Sequence, residues 1–330
     1  MNKDKLKRSL ISIGKDILVA FVIVCLVMLI IFAYCGIWPP MVVVESGSMQ
    51  RHDNKSVVGV IDTGDMVFVK TVNGIDDVTT YVDGEATDYS KYGAYGDVII
   101  YRPNGQTEME DGTAIVPIIH RLVVWLEVNE TKVSQDFVGI DYVNYTFDVP
   151  SLCLYGTRDA IILEDYGFWK ESVVINLEWL MLYYETHDKV PHGGYITMGD
   201  NNVPFYDQPN YELILPEWIV GKAIGEIPWF GLIKLKVTGS NTDGVPRNSW
   251  TGLYITIFLL LFLPFVFDMV APRLSKYRAR RKELKTGAEE KDEKTHPPAK
   301  PDNTLAEKPP GEAETTEKGP DGGAPGSDVK

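Results

Sequence analysis

Two uncharged apolar runs constrain this chain more than any other feature. Ile17 to Ile37 carries no charge over 21 residues, and Trp250 to Phe267 carries none over 18. About 20 apolar helical residues cross a hydrocarbon layer of about 30 Å, so both runs are long enough to be transmembrane helices. The first exceeds the about 7–15 residues of a signal-peptide core, and no small-x-small site follows it before Trp38-Pro39-Pro40. A retained anchor is expected. Lys3, Lys5, Lys7, Arg8 and Lys15 precede the first run, and Lys276, Arg278, Arg280, Arg281 and Lys282 follow the second. Basic flanks stay cytoplasmic, which predicts a two-span protein of the cell membrane with both termini inside.

The expected organisation is a cytoplasmic N-terminus (1–16), a first span (17–37), an extracytoplasmic domain (38–248), a second span (249–271) and a basic segment with a disordered tail (272–330). In the outer part, Val57 to Val60, Asp65 to Lys70, Asp97 to Tyr101 and Ala114 to Val128 are β-branched runs punctuated by Gly, Pro and Asp. That pattern predicts a mainly β, antiparallel domain. Val72 to Tyr95 reads as a long loop or hairpin. Phe137 to Val149 alternates in places, whereas Glu171 to Tyr184 mixes helical and strand spacing. Trp169, Trp179 and nearby tyrosines fit a satellite core, a substrate groove or a partner surface. Gly64-Asp65 and Gly96-Asp97 read as turns before strands. Trp229-Phe230 suits either the lipid interface or a core cap. From Glu283 onward the polar composition leaves too little apolar area to fold.

A formal net charge of −14 argues against nucleic acid as a partner. Of the three cysteines, Cys25 and Cys35 lie in the first span and Cys153 stands alone outside, so no disulfide framework is expected. No His, Cys and carboxylate cluster has metal-site spacing. Neither a metal nor a cofactor is expected.

Ser48, in Glu45-Ser46-Gly47-Ser48-Met49, follows the first span so closely that an extended link from Ile37 reaches no more than roughly 35–40 Å. A serine hydroxyl is a poor nucleophile unless a base stands within hydrogen-bond reach and a further group orients that base. His120, within Ile118-Ile119-His120-Arg121-Leu122, is the candidate base. Asp200 and Asp207 are candidate orienting groups. His52 is a rival base, though its charged surroundings suit a solvated side chain.

Ser46-Gly47-Ser48-Met49, Thr63-Gly64-Asp65-Met66-Val67, Tyr95-Gly96-Asp97-Val98-Ile99-Ile100-Tyr101-Arg102, His120-Arg121, Gly199-Asp200-Asn201-Asn202 and Trp218-Ile219-Val220-Gly221-Lys222 occur in this order. The ordered set resembles type I signal peptidases, and within them the archaeal and endoplasmic-reticulum branch, which carries His-Arg where typical bacterial enzymes carry Lys-Arg. The resemblance spans residues 17 to 238, apart from insertions at about 72–95 and 125–191. It implies a signal-peptidase-like β domain in which Ser48 is the nucleophile and His120 the general base. Asp207 is the likelier orienting group, although it lies one residue further past Asp200 than in that family's pattern. The Ser48 backbone N–H and the Ser46 hydroxyl would stabilise the oxyanion, and Val42, Val43 and Val44 would line the substrate site.

The implied activity is serine endopeptidase cleavage of signal peptides from exported preproteins after small residues. Its partners would be those preproteins and the lipid bilayer, with room for the protein-export translocon. Two other readings stay open: a catalytically silent, membrane-tethered β domain that binds exported chains, and a processing peptidase of narrower specificity.

Overall fold

The computed structural model describes residues 3–134, 141–208 and 210–295. It is mainly antiparallel β, with an apolar helix at the N-terminal end and a long helix at the C-terminal end. Helix α1 (Lys3–Cys35) and helix α5 (Arg247–Thr295) each contain a stretch long and apolar enough to cross a membrane, Gly14–Cys35 and Arg247–Pro272. The α1 helix stops two residues short of Ile37. Gly36 takes the left-handed conformation (φ 71°) and donates to Phe32 O at 2.8 Å, which closes the last turn before the prolines are reached. The Cys35 carbonyl then accepts from Thr71 N at 2.8 Å and so ties the helix end to the sheet domain.

The central sheet runs β1 (Met41–Val43), β2 (Met66–Lys70), β12 (Ile219–Ile227), β5 (Val98–Tyr101), β6 (Ile118–Ser134), β7 (Asp141–Val149) and β8 (Leu154–Thr157). Strand β11 (Gly194–Met198) pairs with β6 off this path. Every pairing is antiparallel, and β1 is an edge strand with β2 as its one neighbour in the order. Residues of β1 and β6 nevertheless line one cavity, although three strands separate them. The sheet therefore curls until its edge faces the start of β6. Register sets which side chains meet: Ile99 lies opposite His120, Tyr101 opposite Ile118, and Thr197 opposite Leu122. His120, Tyr101 and Thr197 thus share one face, while Arg121, next in sequence to His120, projects from the other.

The 72–95 stretch corrects the loop-or-hairpin expectation. Besides a short hairpin of β3 (Ser90–Lys91) and β4 (Ala94–Tyr95), it contains helix α2 (Tyr81–Thr87). Thr80 caps this helix by accepting from Asp83 N, and donates in return to the Asp83 carboxylate at 2.6 Å. Only seven residues long, with Asp and Gly inside, α2 carries little propensity of its own. Packing sustains it: Tyr81 and Val82 join the core formed by β6, β7 and β11.

The larger insertion holds β7, β8, the hairpin of β9 (Ile161–Tyr166) and β10 (Glu171–Ile175), and helix α3 (Leu177–Thr186) capped by Asn176. Phe147, Val173, Ile175, Leu180 and Tyr184 bury themselves in the same core, so the insertion is continuous with the central sheet. Trp179 is exposed, as is Trp169 at the β9–β10 turn. Of the alternating stretch, residues 141–149 form β7 and 137–140 lie outside the described residues.

Trp229 and Phe230 settle against Leu232 and Leu235 of helix α4 (Gly231–Thr238) and against Val245 and Leu253. The Trp229 indole N–H donates to Ser56 Oγ at 2.9 Å, and Asn248 clasps the Ser56 backbone at 2.6 and 3.0 Å. The pair caps a core. The Gly-Asp turns also do more than bend the chain. Gly64 and Gly96 are left-handed (φ 95° and 76°), and the aspartates after them are buried acceptors. Asp65 takes the N–H groups of Trp229 and Asp62. Asp97 takes the Thr79 N–H, the Tyr89 hydroxyl and Lys222.

Helix α5 runs through Pro264 and Pro272 and continues to Thr295, past Glu283 where no structure is expected. One unit of the chain ends at Phe262, and the rest of α5 belongs to a second. Of the tail expected from Glu283 on, residues 296–330 lie outside the described residues.

Candidate active site

Ser48 sits in the turn that follows the edge strand. Its carbonyl accepts from Asn201 N at 2.8 Å, and the Asn201 side chain donates to Gly47 O at 3.0 Å. The loop after β11 thereby clamps the serine turn from outside, while Met49 anchors it from within at 1% exposure. The Ser48 hydroxyl is 3.2 Å from that of Ser46. Among the described residues, the Ser48 backbone N–H has no acceptor.

His120 reaches the same place from the centre of the sheet. It is buried, and its Nδ1 lies 2.6 Å from Asp207 Oδ2. The same carboxylate oxygen also accepts from Tyr101 OH at 2.8 Å and Thr197 Oγ1 at 2.7 Å. Three donors on one oxygen hold the carboxylate in place, and the ring that donates Nδ1–H to it keeps its lone pair on Nε2. Nε2 turns toward the serine turn: a methyl group built on Gly199 would fall 2.9 Å from it and 2.5 Å from Ser48 O. Gly199 therefore lies between the His120 ring and the Ser48 backbone carbonyl, while the Ser48 hydroxyl itself is paired with Ser46 and makes no hydrogen bond to His120.

Asp200 does not reach His120. It is engaged by Arg121, with Nε 2.7 Å from Oδ1 and Nη2 2.6 Å from Oδ2, in the paired geometry that matches a guanidinium to a carboxylate. Arg121 is fully buried and spends Nη1 on the carbonyls of Gly96, Tyr95 and Ala94 at 2.9, 3.1 and 3.3 Å. The cause is strand alternation. His120 and Arg121 point to opposite faces, so each selects a different aspartate. Asp207 is held at the end of the 201–208 loop, where its N–H donates to Thr197 O at 2.9 Å. His52 is placed elsewhere, against the rings of Phe168 and Trp169.

Tyr101 and Thr197 went unassigned in the sequence although both lie in or beside the motif stretches. Their signal was register: each falls on the His120 face of a neighbouring strand. Burial, and then the adjacent Asp207 charge, push the Tyr101 phenol well above its ordinary value, so it stays a hydrogen-bond donor.

Ser48 and His120 both line a cavity of about 750 Å³. Val42, Val43 and Val44 form one wall, Ile118 and Ile119 the facing one, and Ile100, Val116 and Asn202 add to it. Val44 is a core residue at 2% exposure, whereas Val42 and Val43 are half-buried. Lys234 and Glu45, paired at 2.8 Å, lie at its border. No group of three or more His, Cys, Asp or Glu side chains able to hold a metal ion occurs among the described residues.

No family model, no curated protein and no solved structure matches this chain.

Proposed function

We propose that the protein is a membrane-tethered serine endopeptidase with a signal-peptidase-like β domain, and that it removes N-terminal signal peptides from exported preproteins. The observation that carries this reading is the 2.6 Å His120–Asp207 contact, with His120 Nε2 facing the turn of Ser48 in one apolar cavity. The Ser48 hydroxyl turns from Ser46 toward His120, which takes its proton as Oγ bonds to the scissile carbonyl carbon. The oxyanion draws on the Ser48 N–H and the Ser46 hydroxyl. The C–N bond then breaks and the amine leaves with the proton from His120. Water, deprotonated by the same ring, attacks the acyl carbon, the C–Oγ bond breaks, and the ring returns that proton to Ser48 as the carboxylic acid leaves.

Substrate choice follows from the cavity. An extended chain added along the open edge of β1 presents alternate side chains to Val42, Val43, Val44 and the Ile118–Ile119 wall. Shallow pockets of this kind admit Ala and crowd out Leu, so selection works by exclusion. The basic flanks of the two apolar helices support both termini inside and the β domain outside, the side on which preproteins emerge.

The test is cleavage by detergent-solubilised full-length protein of a preprotein whose signal peptide ends in Ala-x-Ala, beside its Leu-substituted form and the Ser48→Ala variant. Cleavage of the first substrate alone, lost in Ser48→Ala, is the expected result. Turnover retained in Ser48→Ala would remove the nucleophile, and no cleavage by the intact protein would favour a silent binding domain.

A further inference from the structure

Asn201, whose neighbour Asn202 lines the apolar cavity, lines a second depression of about 440 Å³ together with Arg51, His52, Asp53, Lys55 and Trp169 among others. Its floor comes from the serine turn's own continuation, residues 51–55. Its wall comes from the larger insertion, through the β9–β10 turn. Phe168 and Trp169 at that turn are 40% and 42% exposed, large apolar rings left open beside a candidate active site.

The wall is a fixed one. His52 meets Phe168 and Trp169 edge to face at 6.0 and 6.1 Å, and those two rings meet each other at 5.2 Å. Arg51 places its guanidinium 4.3 Å above the Phe168 ring and donates to Tyr92 O at 3.0 Å. At the turn's base the Gly167 N–H donates to the Tyr81 hydroxyl at 2.9 Å, and Tyr81 lies tilted against Tyr166 with ring centroids 4.0 Å apart. Both insertions thus cooperate to hold two exposed aromatic rings over the residues that follow Ser48. Core packing alone would have buried those rings.

We infer that this shelf is the subsite for the mature side of the substrate, and that it takes an aromatic side chain among the first residues after the scissile bond. The inference rests on the peptidase reading of the site. A chain bound at Ser48 must leave in two directions. If the residues before the cut fill the apolar cavity, the residues after it pass Asn201, whose neighbour Asn202 lines that cavity and which itself lines the shelf. Asn201 also holds the Ser48 and Gly47 carbonyls, so the two depressions adjoin at the serine turn. Exposed ring faces and edges with a cation already stacked on one of them suit a further aromatic ring, through edge-to-face contact and apolar burial.

The experiment uses full-length protein in detergent and two preproteins identical through the Ala-x-Ala junction. One carries aromatic residues, the other Gly and Ser, in the first mature positions. Wild type should cut the aromatic form faster in kcat/KM by about three- to ten-fold, the range of one aromatic pair. Phe168→Leu with Trp169→Leu should bring the two rates together while the Gly/Ser form is cut as by wild type, which also reports an intact fold. The single variant Trp169→Leu should lose part of the preference. Equal rates in wild type, or a preference unchanged in the double variant, would overturn the shelf and leave the peptidase reading standing. Wild type that cuts neither form would instead fail that reading, and the shelf with it.

Discussion

His120 Nδ1 lies 2.6 Å from Asp207 Oδ2, and the other candidate aspartate, Asp200, is bound by Arg121 at 2.6 and 2.7 Å. The two aspartates therefore answer differently to substitution. Asp207→Asn keeps the volume but offers a donor or a weaker acceptor to Nδ1, so the imidazole loses its tautomer and orientation. Activity should fall by about 10⁴-fold, the scale of the analogous change in serine proteases, with thermal stability little altered. Asp200→Asn leaves a fully buried guanidinium without its counter-charge, and removing one partner of such a pair costs about 3–5 kcal/mol. Its signature is a large fall in Tm. Equal Tm losses for both variants would show that Asp207 is only structural.

Gly199 supplies a second test, because a Cβ there would meet Ser48 O at 2.5 Å, and His120 Nε2 and Asn202 Nδ2 at 2.9 Å. The contact with a backbone oxygen cannot be relieved by a rotamer change. Gly199→Ala must push the serine turn from the imidazole, and a displacement near 1 Å is enough to cost about 10²-fold in rate. Peptidase assays should show the loss in kcat. An alanine variant as active as wild type would mean that the two groups do not work across that gap.

The sequence made the β domain legible at β2, β5 and β6, where β-branched runs follow Gly-Asp turns or Pro, whereas Val57 to Val60 forms a turn and not a strand. Through their motif order the sequence brought Ser48 and His120 forward. What it could not show was convergence. Tyr101 and Thr197 reach Asp207 only because register places them on the His120 face, and register is a property of paired strands. Helix α2 was hidden for a related reason: its seven residues are helical through the burial of Tyr81 and Val82. Trp229 and Phe230 fitted lipid or core equally in composition, and the Ser56 hydrogen bond with the Leu232 cluster places them against a core.

Ser46 stands 3.2 Å from the Ser48 hydroxyl and is otherwise exposed, so its removal leaves no buried group unsatisfied. Ser46→Ala should leave Tm unchanged. If the Ser46 hydroxyl donates to the oxyanion, kcat falls on the order of 10²-fold while KM stays near its wild-type value. A rise in KM alone would assign Ser46 to ground-state binding.

The last prediction concerns pH and a carboxylate outside the site. Burial, together with Asp65 and Asp62 nearby, pushes Glu226 up to about 7 from its ordinary value of 4.5, against the opposing Gly59 N–H. One of its oxygens accepts that N–H at 2.5 Å, and the other is buried without a partner among the described residues. A carboxyl group with a raised folded value binds more protons folded than unfolded. Its stabilising contribution is full below pH 4.5 and is lost as pH rises through about 7. Asp65 is likewise raised to about 7, chiefly by burial, and acts in the same window. Glu226→Gln keeps the acceptor for Gly59 and carries no charge at any pH, so it should raise Tm at pH 8 and give no gain at pH 5. Thermal melts of the full-length protein in detergent at the two values decide it. A gain of equal size at both would mean that packing, and not ionisation, governs this corner of the fold.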